Sequence, residues 1–415
     1  MAAVDTVPGA AGGVTGGRAP VRRLAIARAT SASGTQAARI GLVFVIYERT
    51  GSAGWVSALL LADLGVGGVL GPVAGWIGDH LERRRVMVVS ELAGGLVYAL
   101  AMLADAPWVL VAVTVLATVV SSPFLPASTA AIPNLAGQGD LRWANSMMAL
   151  STNGALMAGP IVGGWLVAAS GIHLVFLVNA VTFVASSLLI AGVKGRFHAE
   201  RDASHQPTGG LRVGYQLILR HPVVRTVTLA LALTHFTFGL AMVADPALAD
   251  QFHAGSVGYA VLYTGWGAVA VVGAWLSGRR FPQHAVPYGI IAGLAMVALA
   301  CGLIATLPAF WAIVVIGSFG GLGSGALFPL TTGLLQEHTP DEVRARVFGA
   351  SDTIDRSLFA VGMLAGAPLV ESVGAQGSYG VTAVIIGVSV LIMAGLPRAV
   401  RRSNPSVVEA AAAPA

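Results

Sequence analysis

Cysteine and charge are scarce in this sequence, and their scarcity excludes whole classes of protein. The 415 residues contain one cysteine, Cys301, which excludes a disulfide framework and a cysteine-based metal site. Charged residues make up only 10% and hydrophobic residues 55%, whereas a soluble surface needs far more charge. Neither an H-E-x-x-H pattern nor a Walker G-K-S/T pattern occurs. We therefore predict no metal, no cofactor and no enzymatic activity.

Long apolar runs fill most of the chain, whose mean hydropathy is +0.77. A helix needs about 20 largely apolar residues to cross a bilayer. Counted with that window, the sequence predicts an all-α integral membrane protein with twelve transmembrane helices. The predicted segments are 24–47, 54–77, 86–104, 108–131, 143–169, 172–193, 222–245, 256–278, 286–306, 310–335, 347–370 and 377–397.

The arginines recur in alternate connections, so the net charge of +5 does not form the single patch that nucleic acid would require. Because arginine-rich loops stay on the inner side of a membrane, both termini are predicted to be cytoplasmic in an inner (plasma) membrane protein. The polar link 194–221 divides the chain into six-helix bundles at 21–193 and 222–397. Residues 1–20 are predicted to be a disordered cytoplasmic tail, and residues 398–415 a second cytoplasmic tail.

The turn between segments 2 and 3 combines small residues, a carboxylate and arginines. Gly75 and Gly78 let a neighbouring helix approach closely, whereas Arg83 and Arg84 cannot enter the hydrocarbon. Asp79 stands at a helix end among these cations, where it can pair with one of them or with a helix N-terminus. The alternative is an ordinary cytoplasmic loop in which these residue types have no special role.

Segment 5 carries four glycines and a proline, namely Gly154, Gly159, Pro160, Gly163 and Gly164. The proline removes one helical hydrogen bond and kinks the helix. The glycines allow close packing and some flexing at the kink. The alternative is a small-residue packing face without any further function.

These two stretches resemble the loop 2–3 motif of the major facilitator superfamily and the G-P-x-x-G-G motif of its drug:proton antiporters. The resemblance covers about residues 24–397 and is strongest to the branch of macrolide-efflux and enterobactin-exporter proteins. His80 and Glu82 depart from the first motif and Ala155 from the second, and segment 4 lacks the arginine that many drug antiporters carry.

The resemblance implies two pseudo-symmetric six-helix bundles that export small amphiphilic molecules, a drug or a natural product, by proton antiport through alternating access. A siderophore or metabolite exporter, or an importer or uniporter of the same fold, stays open. The expected partners are a small-molecule substrate, protons and the lipid bilayer, and we expect the chain to act as a monomer.

Arg39 and Asp63 are charged residues within predicted membrane segments, where ionisable groups are functional candidates. Both lie about 12–14 Å from the outer ends of segments 1 and 2 at 1.5 Å per residue, so they are predicted to pair. Protonation of Asp63 would then release Arg39 and bias the conformation. The alternative is a static pair that fixes helix packing.

Segment 11 contains Asp352, Asp355 and Arg356, of which the first and last share a helix face. These residues are candidates for a gate or coupling network. The alternative is that Asp352 and Arg356 form an ion pair within the helix that has no further function. Glu91 and His235 are weaker candidates for proton carriers. Asp245, near the outer end of segment 7, is expected to be solvated.

By the same resemblance, segments 1, 2, 4, 5, 7, 8, 10 and 11 should line a substrate cavity. Apolar and aromatic walls with few charges suit a bulky amphiphilic compound. For each residue, packing against lipid or a helix is the alternative. The candidates on these segments are Phe124, Met147, Met157, Phe236, Phe238, Tyr263, Trp266 and Phe328.

Overall fold

The computed structural model of the protein describes residues 17–103, 105–136, 140–195, 197, 212–280 and 283–402. Helices account for nearly all of these residues, and no strand occurs among them. Twelve helices, α1 to α12, follow the predicted segments in order. The predicted all-α membrane fold of two six-helix bundles is therefore confirmed.

The N-terminal half holds six helices, two of which are interrupted. Their bounds are Arg18–Thr50 for α1, Ala53–Leu60, Leu61–Gly65 and Val66–His80 for the three parts of α2, Arg83–Ala101 for α3, Pro107–Ser121 and Phe124–Ala136 for α4, Leu141–Ser170 for α5 and Ile172–Ala191 for α6. Pro123 follows the first part of α4, and Asp63 lies in the middle part of α2, which is a π-helical turn.

The C-terminal half begins after a short linker helix, Arg212–Arg220. Its helices are Pro222–Gln251 for α7, Gly255–Arg280 for α8, Val286–Ile304 for α9, Phe310–Glu337 for α10 and Asp341–Met393 for α11 and α12 together. Gly374, with φ of 76°, separates α11 from α12, because glycine adopts this backbone conformation at little cost. A terminal helix, Leu396–Arg402, follows.

Seven helical stretches of the described chain are long and apolar enough to cross a membrane, and the longest, Arg346–Val400, contains both α11 and α12. The remaining spans are α1, α2, α3 and α5. These four carry the intramembrane charges of the N-terminal half and the glycines of both motifs, which lower their hydropathy.

Three helix ends differ from the predicted bounds. The first helix begins at Arg18, inside the predicted tail, since Pro20 is tolerated in a first helical turn. Helix α7 ends at Gln251, six residues after the predicted end at 245, and Pro246 lies within it. The predicted C-terminal tail begins as the terminal helix. Residues 1–16 and 403–415 lie outside the described residues.

Both described chain ends and the linker helix lie at one face of the bundle, here called the linker face, and the other is the opposite face. The halves join toward the opposite face. There Ser57 of α2 donates a hydrogen bond to the Met363 carbonyl of α11 at 2.8 Å, and Ser256 of α8 donates one to the Gly164 carbonyl of α5 at 3.0 Å.

The apolar core follows the same division. One large cluster of buried side chains includes residues of both halves, such as Ile40, Leu60 and Tyr259. A second cluster, at the linker face of the N-terminal half, contains only residues of that half, among them Leu24 and Met87. The halves therefore share a core toward the opposite face and separate toward the linker face.

Candidate functional site

A cavity of about 420 Å³ lies at the middle of the helix bundle. Its size falls within the range of small-molecule sites, which are also mainly apolar with a few polar groups. The wall includes five aromatic residues of α7, α8, α11 and α12, together with one carboxylate. The wall includes the side chains of Met157, His235, Phe238, Asp245, Tyr263, Trp266, Cys301 and Tyr379.

The helices that line this cavity differ from the predicted set. Residues of α9 and α12 contribute to the wall, whereas its described residues include none from α1, α2 or α4. Gly267 of α8 and Gly317 of α10 lie in the wall, and their lack of a side chain leaves room for the cavity to extend toward Cys301 and Tyr379. The cavity thus extends into the C-terminal half.

Four of the eight candidate cavity residues lie in the wall, namely Met157, Phe238, Tyr263 and Trp266. The rings of Phe238 and Trp266 meet edge to face, with centroids 5.8 Å apart. These residues come from three different helices, so the wall depends on how α5, α7 and α8 pack.

The other four candidates lie outside the cavity wall. Phe124 and Met147 pack against the apolar cluster at the linker face of the N-terminal half. Phe236 lies where the backbone of α7 meets Gly362 of α11. Phe328 is 76% exposed. Helical position alone did not reveal which side of each helix faces the cavity.

Arg39 and Asp63 form the ion pair that their depths in the sequence predicted. The guanidinium Nε donates to an Asp63 oxygen, while a terminal nitrogen donates to Gln36 at 2.8 Å. Both side chains are about one-fifth exposed, at 20% and 19%. A small space of about 10 Å³ beside the pair is close to what one water molecule needs. The pair is therefore held by protein groups and has space beside it for water.

Asp245 is the carboxylate that the sequence interpretation missed, because it was expected to be solvated. It lines the cavity, and the Tyr379 hydroxyl of α12 donates a hydrogen bond to its Oδ1. The expectation failed because α7 continues through Pro246 for another six residues, about 9 Å at 1.5 Å per residue.

The structure brings together two residues that were considered separately, His235 of α7 and Asp355 of α11. His235 Nδ1 lies 3.5 Å from Asp355 Oδ1 and 2.9 Å from the Leu231 carbonyl. Asp352 accepts a 2.7 Å hydrogen bond from Arg356, and both side chains are more than half exposed. An exposed helical pair of this kind contributes little to stability.

Glu91 lies away from the cavity, at the contact of α3 with α1 and α6. Its side chain is 2% exposed, and Ser31 donates to Oε1 at 3.1 Å. No arginine or lysine forms an ion pair with it among the described residues. An unpaired carboxylate is costly to bury.

The glycines of α5 pack against two different helices. A Cβ on Gly159 or Gly163 would approach the α1 backbone, to 2.8 Å from the Ser33 carbonyl oxygen and 2.4 Å from that of Ala37. A Cβ on Gly164 would lie 2.7 Å from the Ser256 carbonyl oxygen of α8. Gly154 has nothing within 4 Å. The motif therefore closes both an α1–α5 contact and a contact between the halves.

The loop 2–3 motif holds the start of the central link. Arg83 donates to the carbonyls of Ala130 and Phe197 at 2.9 and 3.0 Å, and the Arg84 guanidinium lies 5.9 Å from the Phe197 ring. Gly78 packs against Ala127 of α4. The side chain of Asp79 lies outside the described residues.

A Cβ added to Gly75 would meet no atom within 4 Å, and the same holds for Gly71, one turn earlier on α2. Gly71 and Gly75 therefore face open space, unlike Gly78 of the same helix. The described residues contain no cluster of three or more histidine, cysteine or acidic side chains that could hold a metal ion.

Known proteins resemble this chain along most of its length. A sequence profile of the Major Facilitator Superfamily matches residues 24–354 and 227–414. The multidrug efflux pump Tap of Mycobacterium tuberculosis is 26% identical over 398 residues, covering 92% of this chain and 94% of Tap. The enterobactin exporter EntS of Escherichia coli is 26% identical over 350 residues, covering 81% and 82%.

A solved structure shares the fold. The crystal structure of a bacterial homologue of the human lysosomal transporter Spinster, in an inward-facing and unoccupied conformation, matches with a TM-score of 0.72. The match covers 92% of this chain and 97% of the homologue, at 12% sequence identity. At that identity the likeness concerns the fold alone.

Proposed function

The chain belongs to the major facilitator superfamily, and from that premise we propose that it exports small amphiphilic molecules by proton antiport through alternating access. The observation that carries this proposal is the apolar, aromatic cavity between halves that join toward the opposite face. Export is further supported by the likeness to an efflux pump and to an exporter.

The linker face is the cytoplasmic face in this proposal, because its connections carry the arginines. Both termini are then cytoplasmic in an inner membrane protein. Since one chain forms the whole cavity, a monomer is sufficient for transport. The structure then corresponds to the state that takes up substrate from the cytoplasm.

The opposite state requires the halves to separate at α5 and α8 and to meet at the linker face. Gly164 of α5 lies against α8, whereas Met157, two turns earlier on the same face of α5, lines the cavity together with Gly267 of α8. That difference supports a rocking motion, because α5 and α8 touch near the opposite face and leave space between them about 10 Å further along. Gly71 and Gly75 of α2 would then receive a helix of the other half, as small residues permit.

Proton coupling is assigned in this proposal to Asp63 and its partner Arg39. Breaking a buried ion pair by removing one charge costs roughly 3–5 kcal/mol, and less here because both side chains are about one-fifth exposed. Tyr263, in the cavity wall, lies within electrostatic range of both residues. Protonation of Asp63 would therefore alter the charge next to the cavity.

The remaining candidates have positions that suit other tasks. His235 and Asp355 bridge α7 and α11 beside the cavity, where they would report its occupancy. Asp352 and Arg356 are exposed and would serve the linker-face gate. Glu91 is enclosed by helices of one half and would exchange protons slowly.

Inverted membrane vesicles test the proposal directly. When the respiratory chain acidifies the vesicle interior, protons leave through the antiporter and the protein should accumulate an amphiphilic fluorescent dye inside the vesicles. Asp63→Asn should abolish accumulation and keep dye binding, while Asp250→Asn, an exposed carboxylate, should behave as the parent. Dye that equilibrates without a gradient would instead identify a uniporter, and accumulation by Asp63→Asn would place the proton site elsewhere.

A second candidate is export of a siderophore, which the likeness to the enterobactin exporter EntS favours. The vesicle assay separates the two when both a lipophilic dye and a catecholate siderophore are offered. Accumulation of the siderophore alone would favour this second candidate.

A further inference from the structure

We propose that Asp245 binds the positive charge of the substrate, so that the preferred substrates are lipophilic cations such as protonated amines. The inference rests on the proposed function, since it names the substrate class of the same cavity. It concerns a residue that neither motif contains and that lies on the C-terminal half, away from the Arg39–Asp63 pair.

The position of Asp245 makes its carboxylate available to a ligand. The residue lines the cavity, and Tyr379 occupies only Oδ1. Among the described side chains none donates a hydrogen bond to Oδ2. Tyr379 therefore orients the carboxylate and leaves the second oxygen for an incoming donor.

The described wall contains no lysine or arginine that would neutralise Asp245. Arg39 of the other half is already paired with Asp63. His235 lies ten residues away on α7, about 15 Å along the helix, and faces Asp355. A carboxylate without a counter-ion is costly inside a membrane protein, so a cationic ligand would relieve that cost.

The rest of the wall suits a cation with an apolar body. Phe238, Tyr263 and Trp266 place aromatic rings in the wall, and such rings attract a cation to their faces. Pro246 cannot donate the helical hydrogen bond that the Met242 carbonyl would otherwise accept, so a second acceptor lies about one turn from Asp245. Charge and shape therefore favour the same class of ligand.

Equilibrium binding to the purified full-length protein, without any gradient, tests the assignment. The probes are tetraphenylphosphonium, a permanent lipophilic cation, and triphenylphosphine oxide, a neutral compound with three of the same rings. We expect the parent to bind the cation more tightly. Asp245→Asn should lower cation affinity about tenfold to a hundredfold, as for loss of a Coulombic attraction in a partly desolvated site, and change affinity for the neutral probe little.

Asp250→Asn removes an exposed carboxylate from the same helix and should leave both affinities unchanged. Tyr379→Phe keeps the carboxylate and should keep the cation preference with a smaller loss. Equal affinity of the parent for both probes would overturn the assignment, and this comparison needs no variant to fold. Retention of the full cation preference by Asp245→Asn would overturn it as well.

The outcome is distinguishable from failure of the proposed function. If the parent binds the cation through Asp245 but vesicles do not accumulate it, the recognition site stands and proton-driven export does not. If accumulation occurs without any cation preference, export stands and the role of Asp245 is wrong.

Discussion

Replacing Gly164 with alanine should open the opposite face of the protein. The new Cβ would lie 2.6 Å from the Ala260 Cβ and 2.7 Å from the Ser256 carbonyl oxygen, both on α8. Ordinary contacts begin at 3.4 Å, so the helices must separate by about 0.7 Å (3.4 − 2.7) to 0.8 Å (3.4 − 2.6). The hydrogen bond from Ser256 to the Gly164 carbonyl would weaken at the same time.

Overpacking of this kind costs about 1–3 kcal/mol in a close-packed contact. The contact exists only while the halves meet at the opposite face, so the whole cost falls on that state. A free-energy difference of 1–3 kcal/mol corresponds to about a 5- to 150-fold shift in a two-state equilibrium. The population with α5 and α8 apart should therefore rise by that factor.

Distances between spin labels report this shift. Because Cys301 is the single cysteine, Cys301→Ser gives a background in which Ser170→Cys and Val373→Cys, one in each half and both exposed, carry the labels. Gly164→Ala should move the distance distribution to longer values.

Gly154→Ala is the matched control, since its Cβ would meet nothing within 4 Å. It lies on the same helix and tests the general effect of adding a methyl group to α5. Adding Ala260→Gly to Gly164→Ala removes the closer of the two clashes and should restore part of the parent distribution. A Gly164→Ala distribution that matches the Gly154→Ala control would refute the assignment of this glycine to the contact between the halves.

Gly75→Leu should have the reverse effect, because Gly75 faces open space in this state but would be crowded once α2 meets the other half. Label distances at the opposite face should not lengthen. A normal export rate would contradict the proposed closure of α2 on the other half. His221→Asn should remove part of the pH dependence of unfolding. Burial, and then nearby His338, lower the pKa of His221 below its ordinary 6.5, so its stabilising contribution is present above pH 6.5 and is lost as the pH falls further; an unchanged melting profile between pH 7 and pH 5 would exclude this role. Glu91→Gln keeps an acceptor for Ser31 and removes the buried acid, so the melting temperature should stay equal or rise, and a large fall would mean that the negative charge is needed.

The sequence predicted those features that depend on depth in the bilayer. Counting residues from the segment ends placed Arg39 and Asp63 at one level, and the structure pairs them. Length and hydropathy located the twelve helices because the bilayer sets both. Depth and length in the bilayer do not depend on how a helix is rotated about its axis.

Features that depend on helix rotation and packing were not predictable. Leu61–Gly65 forms a π-helical turn, which changes the direction of Asp63 and leaves no clear pattern in the sequence. The predicted segment 7 ended at residue 245, although α7 continues through Pro246 to Gln251 and brings Asp245 into the cavity. Tyr379 belongs to α12, which was not expected to reach the cavity at all.

The two carboxylates that carry the proposals lie on different halves, Asp63 on α2 and Asp245 on α7. If a single carboxylate served both proton and cation, its substitution would abolish binding and coupling together. With two carboxylates the losses separate: Asp63→Asn should end gradient-driven accumulation and retain cation binding, and Asp245→Asn should lose the cation preference measured without a gradient. Linkage between two binding sites is reciprocal. If protonation of Asp63 changes cation affinity, the bound cation must change the proton affinity of Asp63 by the same factor, so any coupling between these sites must appear in both measurements.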